Sequence, residues 1–180
     1  MTINGEAILE PDFAQLHAQI IYAQRKIPLI GDAYETGDFP RSYGKLAFNV
    51  ALNAKNHRSA NSALSKHLKI DGQTASKLLD AIIAKHKAVA DVFCSDAGVT
   101  LMRIDSDITL RAIGDCQSCG LPVLPVHDSL IAQARHAERV AEIMVKAFAS
   151  RFPYAGTCPV RTKSKSVPQM EENDTRLHAA

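Results

Sequence analysis

Two aspartates stand where apolar neighbours make an acid costly. Asp128 lies inside LPVLPVHDSLIAQ (residues 121–133), which otherwise reads as two short buried strands, and Asp12 lies in INGEAILEPDFAQLHAQIIYA (3–23). An ionised carboxylate in such a place loses hydration and recovers stability only from a partner, a turn or a metal. Two such acids brought together repel, and one stays protonated unless divalent cations bridge them. Mg²⁺ favours carboxylate and phosphate oxygens. The stretch RSYGK carries Arg41 and Lys45 one helical turn apart, a cationic face able to hold a polyphosphate. The chemistry open to this set is a metal-phosphate site. Taken singly, Asp12 also reads as a helix cap and Asp128 as a turn residue.

Other constellations fail on spacing or geometry. GDFPRSYGK ends in Gly-Lys, but Gly37 is too far from Gly44 for a phosphate-binding Walker loop, and Leu46 replaces the required Ser or Thr. His127, Asp128 and Ser129 have the side chains of a hydrolase triad, yet consecutive residues of a strand or tight turn point to different sides. Asp105-Ser106-Asp107 is a carboxylate pair of the kind that holds a divalent ion on a nucleotide sugar; its simpler reading is acids at a helix start. Cys94, Cys116, Cys119 and Cys158 include a single CxxC. A structural zinc site normally needs two such pairs or added histidines, so reduced structural thiols are expected.

The elements that must position these residues are partly legible. Asn4-Gly5 is a turn signal leading into a strand over 3–10, with Asp12 at its exit and a helix through Phe13, Leu16 and Ile20. RKIPLIGDAYETGDFPR is a loop, and RSYGKLAFNVALNAKNHRSANSALSKHL reads as one or two helices with Arg41, Lys45, Phe48 and Leu52 on one face. Residues 74–93 make the strongest amphipathic helix. VTLMRIDSDITLRAIGDCQSCG reads as a short extended piece and then a helix. A strand pair turning at His127 and Asp128 follows, and a long helix over 134–152. From Tyr154 the hydrophobic density collapses, which predicts a flexible tail over 154–180.

The totals bound the class. A chain of 180 residues, 46% apolar, supports one domain with a real core. Net charge is +2 from 21 basic and 19 acidic residues, so composition alone does not signal a nucleic-acid protein. No run approaches the ~18–20 apolar residues of a membrane span, and the N-terminus lacks signal-peptide features. A cytoplasmic protein without membrane association is expected.

Three motifs, in order, resemble the palm and part of the fingers of the superfamily joining family A DNA polymerases and single-subunit, phage-type RNA polymerases. LEPDFAQLHAQIIYA is similar to motif A, a strand ending in a metal-binding acid, here Asp12. RSYGKLAFNVALNA resembles motif B, the fingers helix; Arg41 and Lys45, with Asn49, would contact the incoming nucleotide. LPVHDSLIA resembles motif C, a hairpin presenting Asp128 as second metal ligand and His127 near the primer end. Its His-Asp-Ser is closer to the RNA polymerase form. Motif B departs from the family where Leu52-Asn53-Ala54 replaces a Tyr-Gly that helps select the sugar. Pro11 removes a backbone donor from the motif A strand.

The resemblance implies an α+β fold: a small antiparallel palm-like sheet with strand-borne acids, packed against several helices, with a helical fingers-like portion at about 38–93 within a domain spanning 1–153. It implies template-directed nucleotidyl transfer with Mg²⁺ or Mn²⁺, a primer/template and a nucleoside triphosphate. Lys55, Arg58, Lys66 and Lys69 would bind template, or form a solvated helical face. The family's polymerases carry a thumb ahead of motif A, so a second protein supplying it, or a reduced palm, is expected. Two alternatives stand beside this. One is a non-catalytic nucleic-acid-binding or assembly subunit that keeps the palm shape. The other is a nucleotide-sugar transferase using Asp105 and Asp107.

Overall fold

Alternation along EAILEPDF builds the strand on which the sheet is centred. In the computed structural model, which describes residues 2–164, this strand is β2 (Glu6–Phe13). Pro11 and Phe13 are buried while Glu10 and Asp12, on the opposite face, stay partly accessible. Antiparallel to β2 run β1 (Thr2–Ile3) and β5 (Val160–Ser164) along one side and β4 (Ser129–Gln133) along the other, with β3 (Val123–Val126) outside β4. Asn4 and Gly5, both at positive φ (52° and 77°), form the turn between β1 and β2 that Asn-Gly favours. The ladder between β2 and β4 pairs Ile8 with Gln133, Leu9 with Ala132 and Asp12 with Ser129, and skips Glu10 and Pro11. Pro11 has no N–H to give, so an interior strand tolerates it only at such a gap.

The fold is α+β, with helices packed on this small antiparallel sheet. α1 (Leu16–Gln24) buries Ala18, Ile20 and Ile21 and lies against α5 (Gly98–Ser118). α5 and α6 (Ala137–Arg151) pack on one another, α6 covering β2, β4 and β5. Between α1 and α5 come α2 (Arg41–Asn53), α3 (His57–Leu68) and α4 (Gly72–Lys85), joined by Phe48, Leu52, Leu64, Leu78, Leu79 and Ile82. Asn56 caps α3 through a reciprocal box with Ser59, and Asp71 caps α4 by accepting from the Gln73 and Thr74 amides. No helix among the described residues is long and apolar enough to cross a membrane. All four cysteines are free thiols, with Cys116 and Cys158 buried.

Four sequence expectations are corrected. Asp12 is not a helix cap: β2 runs on to Phe13, and α1 is preceded by Gln15 in a left-handed conformation (φ 60°). Residues 98–118 form one continuous helix with no extended piece, because Leu101, Ile104, Ile108, Ala112 and Cys116 recur at helical spacing and all are buried. The helix expected over 74–93 stops at Lys85 and gives way to 3₁₀ turns over Lys87–Val92. The expected flexible tail also differs over its first part. Cys158 is fully buried, the Ala14 amide donates to the Pro159 carbonyl (2.8 Å), and β5 pairs along β2; residues 165–180 lie outside the described residues.

The helix break falls at His86, which is buried among Tyr22, Phe48 and Phe93. Its Nε2–H donates to the Ala33 carbonyl (2.8 Å), which leaves Nδ1 to accept from the Tyr22 hydroxyl (2.9 Å). The neutral ring satisfies both bonds. Burial, aided by the Lys85 charge, lowers the pKa of His86 despite the Ala33 bond, so the fold disfavours the imidazolium that the unfolded chain forms below pH ~6.5. The stabilisation is therefore present above that pH and lost as pH falls below it. Denaturant midpoints are expected to drop as pH falls below about 6.5, and His86→Gln to flatten that drop while lowering the midpoint at pH 8. An unchanged slope in the variant would assign the acid sensitivity elsewhere.

Candidate functional site

Strand pairing brings the two acids together. Asp12 faces Ser129 across β4 and Arg161 across β5, and the β3–β4 turn places Asp128 immediately beside that Ser129. His127 takes the left-handed position of the turn (φ 53°). The Phe13 amide reaches the Asp128 carbonyl (3.5 Å), tying the end of β2 to the turn. The buried Ser129 hydroxyl lies 2.8 Å from the Val126 carbonyl and 2.6 Å from Glu10 Oε1, sharing its single proton between them. Ser129 thus braces the hairpin, and no triad geometry forms with His127, which is exposed.

The acids are unequally compensated. Asp12 has an ion pair with Lys163 of β5 and is only 18% exposed. Asp128 has its pKa raised, first by burial and then by the negative charges of Asp12 and Asp105, with His17 opposing. Asp105 comes from the middle of α5. His17 Nε2 approaches its carboxylate to 3.3 Å without hydrogen-bond alignment and is otherwise a buried, unsatisfied ring nitrogen. Asp107, two residues on, is exposed and turned away, as a helix requires of positions i and i+2. The carboxylate string therefore splits, and only its first acid joins the cluster.

The helical side of the cleft is held by the loop before α2. The Gln15 side chain accepts from the Ala33 amide (2.5 Å), bringing residues 32–34 over the end of β2. Arg41 Nε donates to Asp32 Oδ2 (2.6 Å), and the guanidinium lies over the Tyr34 ring at 5.2 Å, a cation-π contact. Burial works against ionisation of Asp32. The bonds from Arg41 and the Tyr34 amide, with the charges of Arg41 and Arg161, outweigh it and hold the pKa down. Tyr34 is pushed up to about 12, chiefly by burial, with Asp128 and Asp32 adding to the shift and Arg41 opposing it. Gly44 permits this seating: a β-carbon there would meet the Tyr34 carbonyl oxygen at 1.9 Å.

Arg41 is thus brought to the cleft, but engaged with Asp32. Of the shared face expected on α2, Phe48 and Leu52 are buried and Lys45 is exposed. Asn49 is half-buried, and neither it nor Lys45 makes a hydrogen bond or ion pair with the acids among the described residues. Lys55, Arg58, Lys66 and Lys69 are exposed on or beside α3. Sequence reasoning missed Asp32, Tyr34, Arg161, Lys163 and the pairing of His17 with Asp105. The alternation in VRTKS was the available signal for β5.

The donor chemistry suits a hard divalent cation, with one acid deprived of a counter-charge. Among the described residues no three His, Cys, Asp or Glu side chains converge as a metal cluster. An ion held by Asp12 and Asp128 would complete its shell with water and substrate oxygens, as Mg²⁺ commonly does. No family model matches the chain, and no curated protein matches it.

The imbalance has a stability signature. An acid whose folded pKa is raised destabilises the fold at neutral pH, so Asp128→Asn is expected to raise the melting temperature at pH 7 by about 2–4 °C. Asp12→Asn, which removes the ion pair with Lys163, gives no such gain. Thermal scans of the two variants beside the natural chain check the contrast; a lower melting temperature for Asp128→Asn would show that its charge is already balanced.

Proposed function

We propose that the chain is a polymerase-palm-like nucleotidyltransferase. The observation that carries this reading is the placing of Asp12 and Asp128 side by side, one on a strand and one on the adjoining hairpin turn. That is the arrangement motifs A and C imply. In this reading the two carboxylates hold the ions, and Arg41, Lys45 and Asn49 of α2 receive the triphosphate. His127, exposed at the hairpin tip, lies toward the primer end. Bound divalent ions would supply activation of the primer hydroxyl and neutralisation of the leaving phosphates. The chain's own part is positioning. The sheet sets the spacing of the acids, and Asp32 and Tyr34 of the loop before α2 hold Arg41.

A second reading, a non-catalytic nucleic-acid-binding or assembly subunit, draws support from two engaged groups. Lys163 occupies Asp12 and Asp32 occupies Arg41, so one acid of the metal side and the arginine of the phosphate side already have internal partners. The nucleotide-sugar alternative loses its geometric basis, because Asp105 and Asp107 do not face one site.

Extension of a labelled primer on a template, with Mg²⁺ or Mn²⁺, separates the first two. Asp12→Asn and Asp128→Asn are each expected to lower incorporation at least ~100-fold, since each removes charge stabilisation of the transition state. Extension that survives both changes would sink the catalytic assignment. No extension by the natural chain, together with nucleic-acid binding that weakens steeply with salt, would favour the subunit.

A further inference from the structure

We propose that β5 belongs to the working site: Lys163 serves as an internal counter-ion to Asp12 in the ion-free protein and, when a divalent cation takes that carboxylate, turns to a phosphate of the nucleotide, beside Arg161. The inference rests on the reading of Asp12 and Asp128 as ion-holding acids.

Register places both cations. Arg161 is directly opposite Asp12 and Lys163 directly opposite Glu10, and residues opposed across an antiparallel pair project from the same face. That is the face of Asp12. Lys163 reaches diagonally to Asp12, and it also feels the charges of Glu10 and Asp128. The Glu10 carboxylate already receives the Ser129 hydroxyl, whereas Asp12 and Asp128 lie together with excess negative charge. The ammonium goes where the field is strongest. The charge of Arg161 also helps hold the pKa of Asp32 down, so it reaches the loop residue that binds Arg41.

The pair is built to exchange. Lys163 is 58% exposed on a flexible stem, and ion pairs with that much solvent are weak. A divalent cation carries twice the charge of the ammonium at the same oxygens. Once displaced, Lys163 keeps its place on β5, on the rim where phosphates bridged to those ions would lie. An ammonium there acts as a point charge on phosphate, and Arg161 adds a planar fork.

Counting free Mn²⁺ by electron paramagnetic resonance, followed by equilibrium binding of a nucleoside triphosphate at saturating Mn²⁺, tests both halves without relying on turnover. Lys163→Gln should tighten Mn²⁺ about three- to tenfold and then weaken triphosphate binding about tenfold, with Lys163→Arg behaving like the natural chain. Lys163→Gln in an Asp12→Asn background should no longer tighten Mn²⁺. Equal Mn²⁺ affinity in the natural chain and Lys163→Gln would overturn the counter-ion while leaving the metal site standing. Tighter Mn²⁺ with unchanged triphosphate binding would overturn the phosphate role. If neither protein binds Mn²⁺, the metal reading of Asp12 and Asp128 fails, and this inference with it. Circular dichroism of each variant confirms that an exposed substitution has not unfolded the chain.

Discussion

The pairing of β2 with β4 is the constraint on which the rest depends. It joins segments more than a hundred residues apart, and all but one of the helices are threaded into the intervening chain. Nothing local holds the two strands together. Their union is stabilised by the apolar faces they present to α6 and by the core that runs from Phe13 through Leu130 and Ala132 to Met144 and Phe148. Because the side-chain period of a strand is two, a register slip of one residue would send Asp12 into that core and bring Phe13 out to water. The hydrophobic faces therefore decide where the acid points.

A sheet register set by burial leaves the opposite face free to accumulate charge, and it does so beyond what is comfortable. Asp12, Asp128 and Asp105 bear on one another, while three cations arrive from two elements: Lys163 and Arg161 on β5 and Arg41 on α2. Lys163 pairs with Asp12 and Arg41 with Asp32, while Asp128 is left short. Concentrated like charge of this kind costs stability and is tolerated where a ligand supplies the missing counter-charge. The second reading of the site, a binding subunit, uses the same charges in their internally paired state.

Where the chain's local chemistry was decisive, reading it succeeded: the Asn4-Gly5 turn, the hairpin at His127 and Asp128, and the amphipathic cores of α4 and α6 all follow from residue type and spacing. It failed where a tertiary partner overrode local signals. The alternation in VRTKS is a weak strand signal in so short and polar a segment, and it becomes a strand because β2 has an open edge and Cys158 anchors the approach. Asp105 looked like a helix-start acid, yet the apolar stripe of α5 carried the helix back past it to Gly98. His86 ended a helix that periodicity extended, because its ring is drawn to Ala33 and Tyr22.

By itself the sequence determined that Asp12 and Asp128 would be expensive, that each would sit at a strand end or turn, and that Arg41 would begin a helix. Those are consequences of hydration, turn geometry and periodicity acting within a few residues. Only the tertiary structure decided that the acids meet, that Asp105 and His17 join them, and that Lys163 rather than Lys45 stands nearest. Charge acts through space and is blind to chain order, so the company an acid keeps is settled only when the core has chosen which strands lie side by side.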